Sequence, residues 1–212
     1  IGRYLVIPAL PTFTARYPQI DLEIGLNDRP VDLIREGVDC VLRGGLALDE
    51  SLVARPLAMM DQITLASPAY LERMGVPETL EDLARHQMVE YVSSASGKRF
   101  GLEFELGAEL RLVNLAKRVA VNSSDAYFAA CEAGFGLIQA PHYHAMRQLA
   151  EGILVHVLPG IPVPKMALTA LYPPHRQLSQ RVRVFVDWLV ELCAQPGTGL
   201  QRQACGNHPC GG

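Results

Sequence analysis

The sequence has no excess of basic charge. Its 212 residues include 19 lysines and arginines against 22 aspartates and glutamates, so the formal net charge is −3. A domain that binds nucleic acid by itself normally carries a basic surplus, because the phosphate charges must be neutralised. These residues are therefore not expected to contact DNA directly.

Long apolar runs are also missing. A membrane-spanning helix needs about 20 consecutive apolar residues, and no stretch of the sequence offers them. The opening IGRYLVIPAL has no charged start leading to a cleavage site, so no export leader is recognised. Both absences favour a cytoplasmic protein with no membrane partner. The sequence does not begin with Met, and an export signal upstream stays an open alternative.

Cysteines are few and their number is odd. The five are Cys40, Cys131, Cys193, Cys205 and Cys210. An odd number does not make a complete disulfide framework. The first three lie in apolar, periodic segments, which is typical of reduced thiols in a core.

Catalytic and metal-binding motifs are absent from the sequence. It has no nucleophile elbow, no phosphate-binding loop, no H-E-x-x-H and no complete G-x-G-x-x-G after a strand. His142 and His144 do not belong to a recognisable set of three or four ligands, which a zinc site requires. Cys205, His208 and Cys210 are interpreted as incidental residues of a tail. The sequence therefore predicts no enzyme activity, no metal and no cofactor.

What the sequence does contain is an alternation of strand and helix patterns. Residues 8–17 have apolar side chains at helical spacing, and residues 20–26 alternate strictly, as in a half-buried strand. Residues 27–37 predict a short capped helix, and residues 38–43 predict another strand. Strands that alternate with crossover helices are typical of a parallel α/β sheet.

The rest of the chain predicts further strands and helices. The strands are residues 62–66, 88–92, 100–105, 108–113, 118–122, 137–140, 153–158 and 166–172. The helices are residues 68–74, 79–86, 124–134 and 142–152, followed by a last helix capped by Ser179. Residues 100–105 and 108–113 are predicted to form a hairpin around Leu106–Gly107.

These elements predict an α/β fold with two lobes. Residues 1–67 and 168–194 form the first lobe, and residues 68–167 form the second. The two crossings are predicted to act as a two-strand hinge beside a ligand cleft. Residues 195–212 are rich in Gly, Pro and Gln and predict a disordered tail.

Four segments of the chain are more specific than these general patterns. They are LPTFTARYPQIDLEIGLNDRPVDLIREGVDCVLRGG, ARPLAMMDQITLASPAYLERMGVPETLEDLARH, VNSSDAYFAACEAGFGLIQAPHY and LTALYPPHRQLSQRVRVFVDWLVEL. Together they resemble the effector-binding domain of LysR-type transcription regulators. Each is weakly specific alone, but their order along residues 1–192 is that of the family. The stretch YVSSASGKRFGLEFE resembles the subgroup that contains regulators of D-malate degradation.

The resemblance implies a type 2 periplasmic-binding-protein fold and a small-molecule effector. It also implies a homodimer, commonly assembled into tetramers, in which residues 8–17 and 20–26 pair antiparallel with residues 124–134 of the partner. DNA would be bound only through a winged helix-turn-helix head, which these residues lack. The family's first sheet strand is missing too, and Leu102 stands where relatives often carry Trp.

The candidate effector site begins at the Asn122–Ser123–Ser124 turn. A helix start offers unpaired backbone N–H groups and a favourable dipole for negative charge. We therefore expect a small organic anion, a carboxylate, at this turn. The alternative is that the serines only cap the helix.

Other candidate contacts lie at predicted strand ends. Arg43 is expected to bind a carboxylate with its guanidinium, and Gly44 after it belongs to the same predicted site; the alternative for Arg43 is a solvated or structural salt bridge. Asn27 and Asp28 are expected either to contact the effector or to cap a helix. Gln139, just before Pro141, adds a neutral donor and acceptor at the hinge edge; both residues are included in the predicted site.

Two other functions stay open for a fold of this kind. A secreted solute-binding protein would have the same two lobes, with an export signal upstream. An enzyme on a bilobal α/β fold would need an acid, base or nucleophile in the cleft, and none can be assembled from the sequence.

Overall fold

The computed structural model describes residues 1–45, 51–94, 96–174, 179–196 and 198–201. The helices within these residues are α1 (Ile7–Arg16), α2 (Pro68–Met74), α3 (Ser124–Glu132), α4 (His142–Ala150) and α5 (Gln180–Cys193). The strands are β1 (Val41–Gly44), β2 (Val53–Met60), β3 (Gln62–Ala66), β4 (Gln87–Val92), β5 (Arg99–Phe100), β6 (Leu102–Leu106), β7 (Glu109–Val113), β8 (Ala116–Val121), β9 (Ile138–Pro141), β10 (Val155–Val157), β11 (Met166–Tyr172) and β12 (Leu200–Gln201). A π-helical turn, Gly2–Val6, precedes α1, and a 3-10 turn spans Asp82–Arg85.

The described residues fall into two compact units. The first contains residues 1–22, residues 31–60 and the described residues from 166 onward. The second contains residues 23–30 and 61–165. The mixture of sheets and helices confirms the predicted α/β class. Residues 23–30 and 61–67, predicted in the first lobe, belong to the second unit, and residues 166–167, predicted in the second lobe, belong to the first unit.

In the first unit, the described residues form a four-stranded antiparallel sheet and two helices. Its strand order is β1-β11-β2-β12. Phe13 of α1 is fully buried, and its ring lies 5.3 Å from that of Phe185 and 5.2 Å from that of Trp188, both on α5. The Trp188 indole donates a hydrogen bond to the Thr12 hydroxyl. An aromatic cluster thus holds the first helix to the last one.

Two predicted elements near the start of the chain are wrong. Residues 20–26 form no strand, and Ile24 and Leu26 are exposed. A strand needs a neighbour for its backbone groups, and no described strand runs beside this segment. Residues 27–37 form turns instead of a helix, and Leu33 alone in this stretch is buried. So short a helix is unstable without an apolar face to pack.

The predicted parallel sheet is also wrong for the first unit. All its strand pairs are antiparallel, and β1 lies beside β11 from the far end of the chain. Because residues 20–26 are not a strand, no crossover unit forms there. The sequence interpretation also missed β2, which pairs along its length with β11.

The second unit contains most of the correctly predicted elements. Its sheets are β10-β3-β9 and β5-β4-β8, with the β6-β7 hairpin beside them. Here β4 and β8 are parallel, and a parallel bridge between Met88 and Leu137 connects the two sheets. Tyr70 of α2 is fully buried, and its hydroxyl accepts a hydrogen bond from the Gln87 N–H at 2.8 Å. The predicted hairpin, α2, α3 and α4 are confirmed.

The described part of the predicted tail is not entirely irregular. Leu200 and Gln201 form β12, which pairs with Met60 and Met59 of β2. Residues 202–212, with Cys205, His208 and Cys210, lie outside the described residues. No helix in the described ranges is both long and apolar enough to cross a membrane.

The three described cysteines are free thiols. Cys131 and Cys193 are buried and Cys40 is half-buried. Burial raises the pKa of the Cys131 thiol to about 12. These residues therefore stay protonated at neutral pH and contribute to packing rather than to reactivity.

Candidate functional site

The start of α3 carries the predicted serine turn. Strand β8 runs parallel to β4 and ends at Val121, and the extended backbone at Ser123 precedes the helix. The Ser123 hydroxyl accepts a hydrogen bond from the Ala126 N–H at 3.3 Å, which makes Ser123 the N-cap. An accepting hydroxyl keeps its own hydrogen, so Ser123 can still donate to a ligand.

A carboxylate of the same chain already binds at this helix start. One carboxylate oxygen of Asp28 accepts from the Ser124 N–H at 2.6 Å and from the Ser124 hydroxyl at 3.0 Å. Two donors and the positive end of the helix dipole thus converge on a single oxygen atom. Local sequence reasoning missed this contact, because the two residues are 96 positions apart.

A hydrogen bond connects the serine turn to the end of the neighbouring strand β4. The Ser94 hydroxyl, just after β4, donates to the Asn122 carbonyl at 3.0 Å. Polar groups therefore collect at the carboxyl ends of two parallel strands, where ligands gather in open α/β sheets. The Asn122 side chain is exposed, and Ser123, Ser124 and Asp28 are half-buried.

Gln139 on β9 is engaged in internal hydrogen bonds. Its amide oxygen accepts from the Glu103 N–H at 2.7 Å, and its amide nitrogen donates to the Glu103 carbonyl at 2.9 Å and to Thr64 at 3.2 Å. The side chain therefore ties β6 to β9 as a strand neighbour would. Its predicted contact with an effector stays a prediction.

The remaining predicted residues lie in other places. Arg43 is in β1 opposite Thr169, in an antiparallel pair, so neither Arg43 nor Gly44 lies at the carboxyl edge of a parallel sheet. Asn27 is exposed and follows no strand. Pro141 ends β9 and precedes α4. The structure brings Asp28 to the serine turn, and the roles of the others stay predictions.

Histidines and carboxylates in the described ranges form no group of three that could hold a metal ion. The His144 ring is buried with its centroid 4.0 Å from that of Phe128. His142 begins α4 and His156 lies on β10. A groove of about 480 Å³ lies between residues 76–78 and 156–161. None of the predicted site residues lines that groove.

Glu90 forms a second polar centre that sequence reasoning missed. Its carboxylate is only 2% exposed and accepts hydrogen bonds from Lys117 of β8 and Arg99 of β5. The Lys117 ammonium and then the Arg99 guanidinium hold the pKa of Glu90 below its usual value, against the opposing effect of burial. A carboxylate inside the apolar run MVEYV was the available signal, because an ionised group in that position needs a partner.

Glu90 is expected to make the free energy of unfolding depend on pH in the acid range. Because the pKa is lower in the folded chain, its contribution is complete above the unfolded value of about 4.3 and is lost as pH falls through the folded value. The free energies of unfolding of the wild type and of Glu90→Gln, measured by urea titration across this pH range, should therefore differ most near neutral pH and converge in acid. A difference that stays constant down to pH values below the folded pKa would contradict this assignment.

Comparison with known proteins identifies relatives along almost the whole chain. The LysR substrate binding domain family matches residues 1–194. An HTH-type transcriptional regulator of Escherichia coli, YhjC, is 36% identical over 189 residues, which are 89% of this chain and 63% of that protein. An HTH-type transcriptional repressor of Pseudomonas aeruginosa is 34% identical, covering 92% of this chain and 62% of its own length. The chain thus spans less than two thirds of these curated relatives.

Solved structures give the same result for the fold. The regulatory domain of CrgA, a LysR-type transcriptional regulator from Neisseria meningitidis, superposes with a TM-score of 0.75 at 27% identity, covering 90% of this chain and 92% of that one. The full-length AphB activator of Vibrio cholerae gives 0.71 at 24% identity, covering 90% of this chain and 64% of that one. The latter likeness concerns the fold alone.

Proposed function

The chain belongs to the LysR substrate binding domain family, and we propose that it is the effector-sensing part of a bacterial LysR-type transcription regulator. The family match over residues 1–194 and the regulators among its relatives support this role. DNA would be bound by a helix-turn-helix head outside these residues, and such a protein acts in the cytoplasm. Relatives that are regulators favour this role over an enzyme. The D-malate subgroup stays a prediction.

We propose further that the effector is a small carboxylate that binds at the start of α3. The observation that carries this proposal is the bond pair from Ser124 to the Asp28 carboxylate. Donors that already converge on one carboxylate oxygen are suited to a ligand of the same chemistry. The Ser123 hydroxyl has a hydrogen left to add a third bond.

An effector at Ser124 would have to displace Asp28. The internal carboxylate and the ligand would compete for the same N–H and hydroxyl, and they would repel each other. The apparent affinity is then reduced by the fraction of molecules in which Asp28 occupies the position. Asp28 thus weakens binding in this proposal, although it belongs to the site.

Two substitutions are expected to shift effector affinity in opposite directions. Ser124→Ala removes one hydroxyl donor, and in the Asp28→Ala background, where no internal carboxylate competes for that donor, it should weaken binding by about 0.5–1.5 kcal/mol. Asp28→Ala removes the competitor and should tighten binding. Calorimetric titration with a carboxylate that raises the melting temperature of the wild type would measure both changes.

Thr14→Ala is the matched control, since it also removes one hydroxyl, at an exposed position of α1 outside the predicted site. Its affinity should stay near that of the wild type. If Asp28→Ala binds no differently from the wild type, and adding Ser124→Ala to it changes nothing, this helix start is excluded as the site. Weaker binding by Asp28→Ala would make Asp28 a ligand contact instead of a competitor.

We also propose the homodimer of the family, with tetramers formed by the complete regulator. The exposed apolar residues Ile7, Ile24 and Leu26 support an interface that includes α1 and residues 20–26. The apolar side chains Tyr127, Phe128 and Cys131 of α3 are buried in the chain's own core, so they cannot form the partner-facing surface of that helix. Small residues such as the exposed Ala129 remain on the outer side of α3.

A further inference from the structure

The β6-β7 hairpin has an unusual concentration of exposed leucines. Leu106, Leu110 and Leu112 are 41%, 60% and 55% exposed. Leu110 and Leu112 lie opposite Glu105 and Glu103, and these four side chains share the outer face of the hairpin. Leu102 and Phe104 occupy the inner face and are buried. The hairpin therefore packs with one face and presents an apolar stripe on the other.

One edge of the hairpin is covered and the other is open. On the covered edge, the Glu105 N–H donates to the Pro162 carbonyl at 2.8 Å, and the Gln139 amide bonds both backbone groups of Glu103. Strand β7 pairs with β6 and with no other described strand. An open edge is a template for strand pairing between chains.

The turn determines which backbone groups face the open edge. Gly107 has a φ of +66°, as the first residue of a two-residue type II′ turn, and the turn is closed by the Leu106–Glu109 pair. The closing pair of such a hairpin is hydrogen-bonded, and bonded pairs alternate along it. The N–H and C=O groups of Leu110 and Leu112 therefore point away from β6.

A second copy of β7 fits this edge in one register better than in its neighbours. With Leu110 opposite Leu110 of the other copy, Glu109 lies opposite Arg111, and the symmetry repeats this opposite-charge pair. Centring the pair on Arg111 would place the two arginines opposite each other. Centring it on Leu112 would give no pair of opposite charges.

We propose that β7 is a self-association edge on which two copies of the chain pair antiparallel about Leu110. The result is a continuous sheet in the order β6-β7-β7-β6. Because the other edge of each hairpin is covered, this association ends at two copies and does not grow further. It does not depend on the effector or on the interface proposed above for α1.

The register can be tested by reversing the charges of the Glu109–Arg111 pair one after the other. All variants carry Leu26→Asp, because this substitution weakens the other proposed interface. Sedimentation of the Leu26→Asp protein should show a discrete dimer that forms as concentration rises. Glu109→Arg puts like charges opposite each other twice and should weaken this dimer about tenfold. Adding Arg111→Glu should restore it, since the pairs are then opposite in charge again.

Amide exchange gives an independent test. The Leu110 amide faces solvent in the single chain and donates to the other copy in the pair, so its exchange should slow as the concentration rises. The Arg111 amide, bonded within the hairpin, is the matched control and should not change. The proposal would be overturned if the Leu26→Asp protein stays monomeric at all concentrations or forms open-ended assemblies. It would also be overturned if Arg111→Glu fails to restore the dimer that Glu109→Arg weakens. None of these results would bear on effector binding at α3.

Discussion

Gly136→Ala is expected to destabilise the protein by about 3 kcal/mol or more, a sum of overpacking and backbone strain. Gly136 has a φ of +144°, which residues with a side chain rarely adopt. A Cβ atom there would lie 2.5 Å from the Gln87 carbonyl oxygen and 2.9 Å from the Cα of Met88. Both contacts are with backbone, which cannot rotate away as a side chain would.

The surrounding backbone has no freedom to move. The Leu137 N–H donates to the Gln87 carbonyl at 2.8 Å, and the Val89 N–H donates to the Leu137 carbonyl at 3.0 Å. These bonds hold the segment between α3 and β9 against β4. Any shift that relieves the clash breaks them, so the substitution should also disturb the position of α3.

Urea denaturation of three glycine variants would check this expectation. Gly25→Ala meets no atom within 4 Å and should change stability by no more than about 0.5 kcal/mol. Gly152→Ala also has open space but a φ of +68°, so it should cost about 1 kcal/mol for backbone strain alone. If Gly136→Ala unfolds at the same urea concentration as Gly25→Ala, the close approach of β9 to β4 is wrong.

Phe104→Ala is expected to have the other large effect, about 3–5 kcal/mol. The Phe104 ring is fully buried in a core cluster that includes Tyr70, Leu83 and Leu137. Its loss leaves a cavity where β6 meets the rest of the second unit. The hairpin would lose one of its two buried inner-face side chains, the other being Leu102, and the rest of the core can close the gap only in part.

Leu110→Ala is the matched control for Phe104→Ala. Leu110 lies in the same hairpin but is 60% exposed, so its truncation should change stability by no more than about 0.5 kcal/mol. Thermal and urea unfolding of dilute protein would compare the two. Similar small losses for both variants would mean that the hairpin does not pack on the core through Phe104.

Elements that depend on local patterns could be predicted from the sequence. The β6-β7 hairpin follows from alternation on both sides of a glycine that accepts a positive φ. The start of α3 follows from Ser123, which caps the helix as its position predicts. In both cases the element is determined by interactions among a few residues that are neighbours in the sequence.

Elements that depend on distant partners could not be predicted. The alternation in residues 20–26 predicts a strand, but it says nothing about whether another strand lies beside it, and no described strand does. The Asp28–Ser124 contact and the two cations at Glu90 join residues that no local pattern connects. The serine turn of the candidate site was therefore predictable, and the carboxylate that occupies it was not.

Calorimetric titration of this chain with small organic acids and their neutral amides tests the proposed effector site most directly. At least one carboxylate is expected to bind with a stoichiometry of one per chain, and its amide should bind much more weakly because it lacks the charge that the α3 start stabilises. Binding of only cations or uncharged apolar compounds, or equal affinity for an acid and its amide, would contradict this expectation.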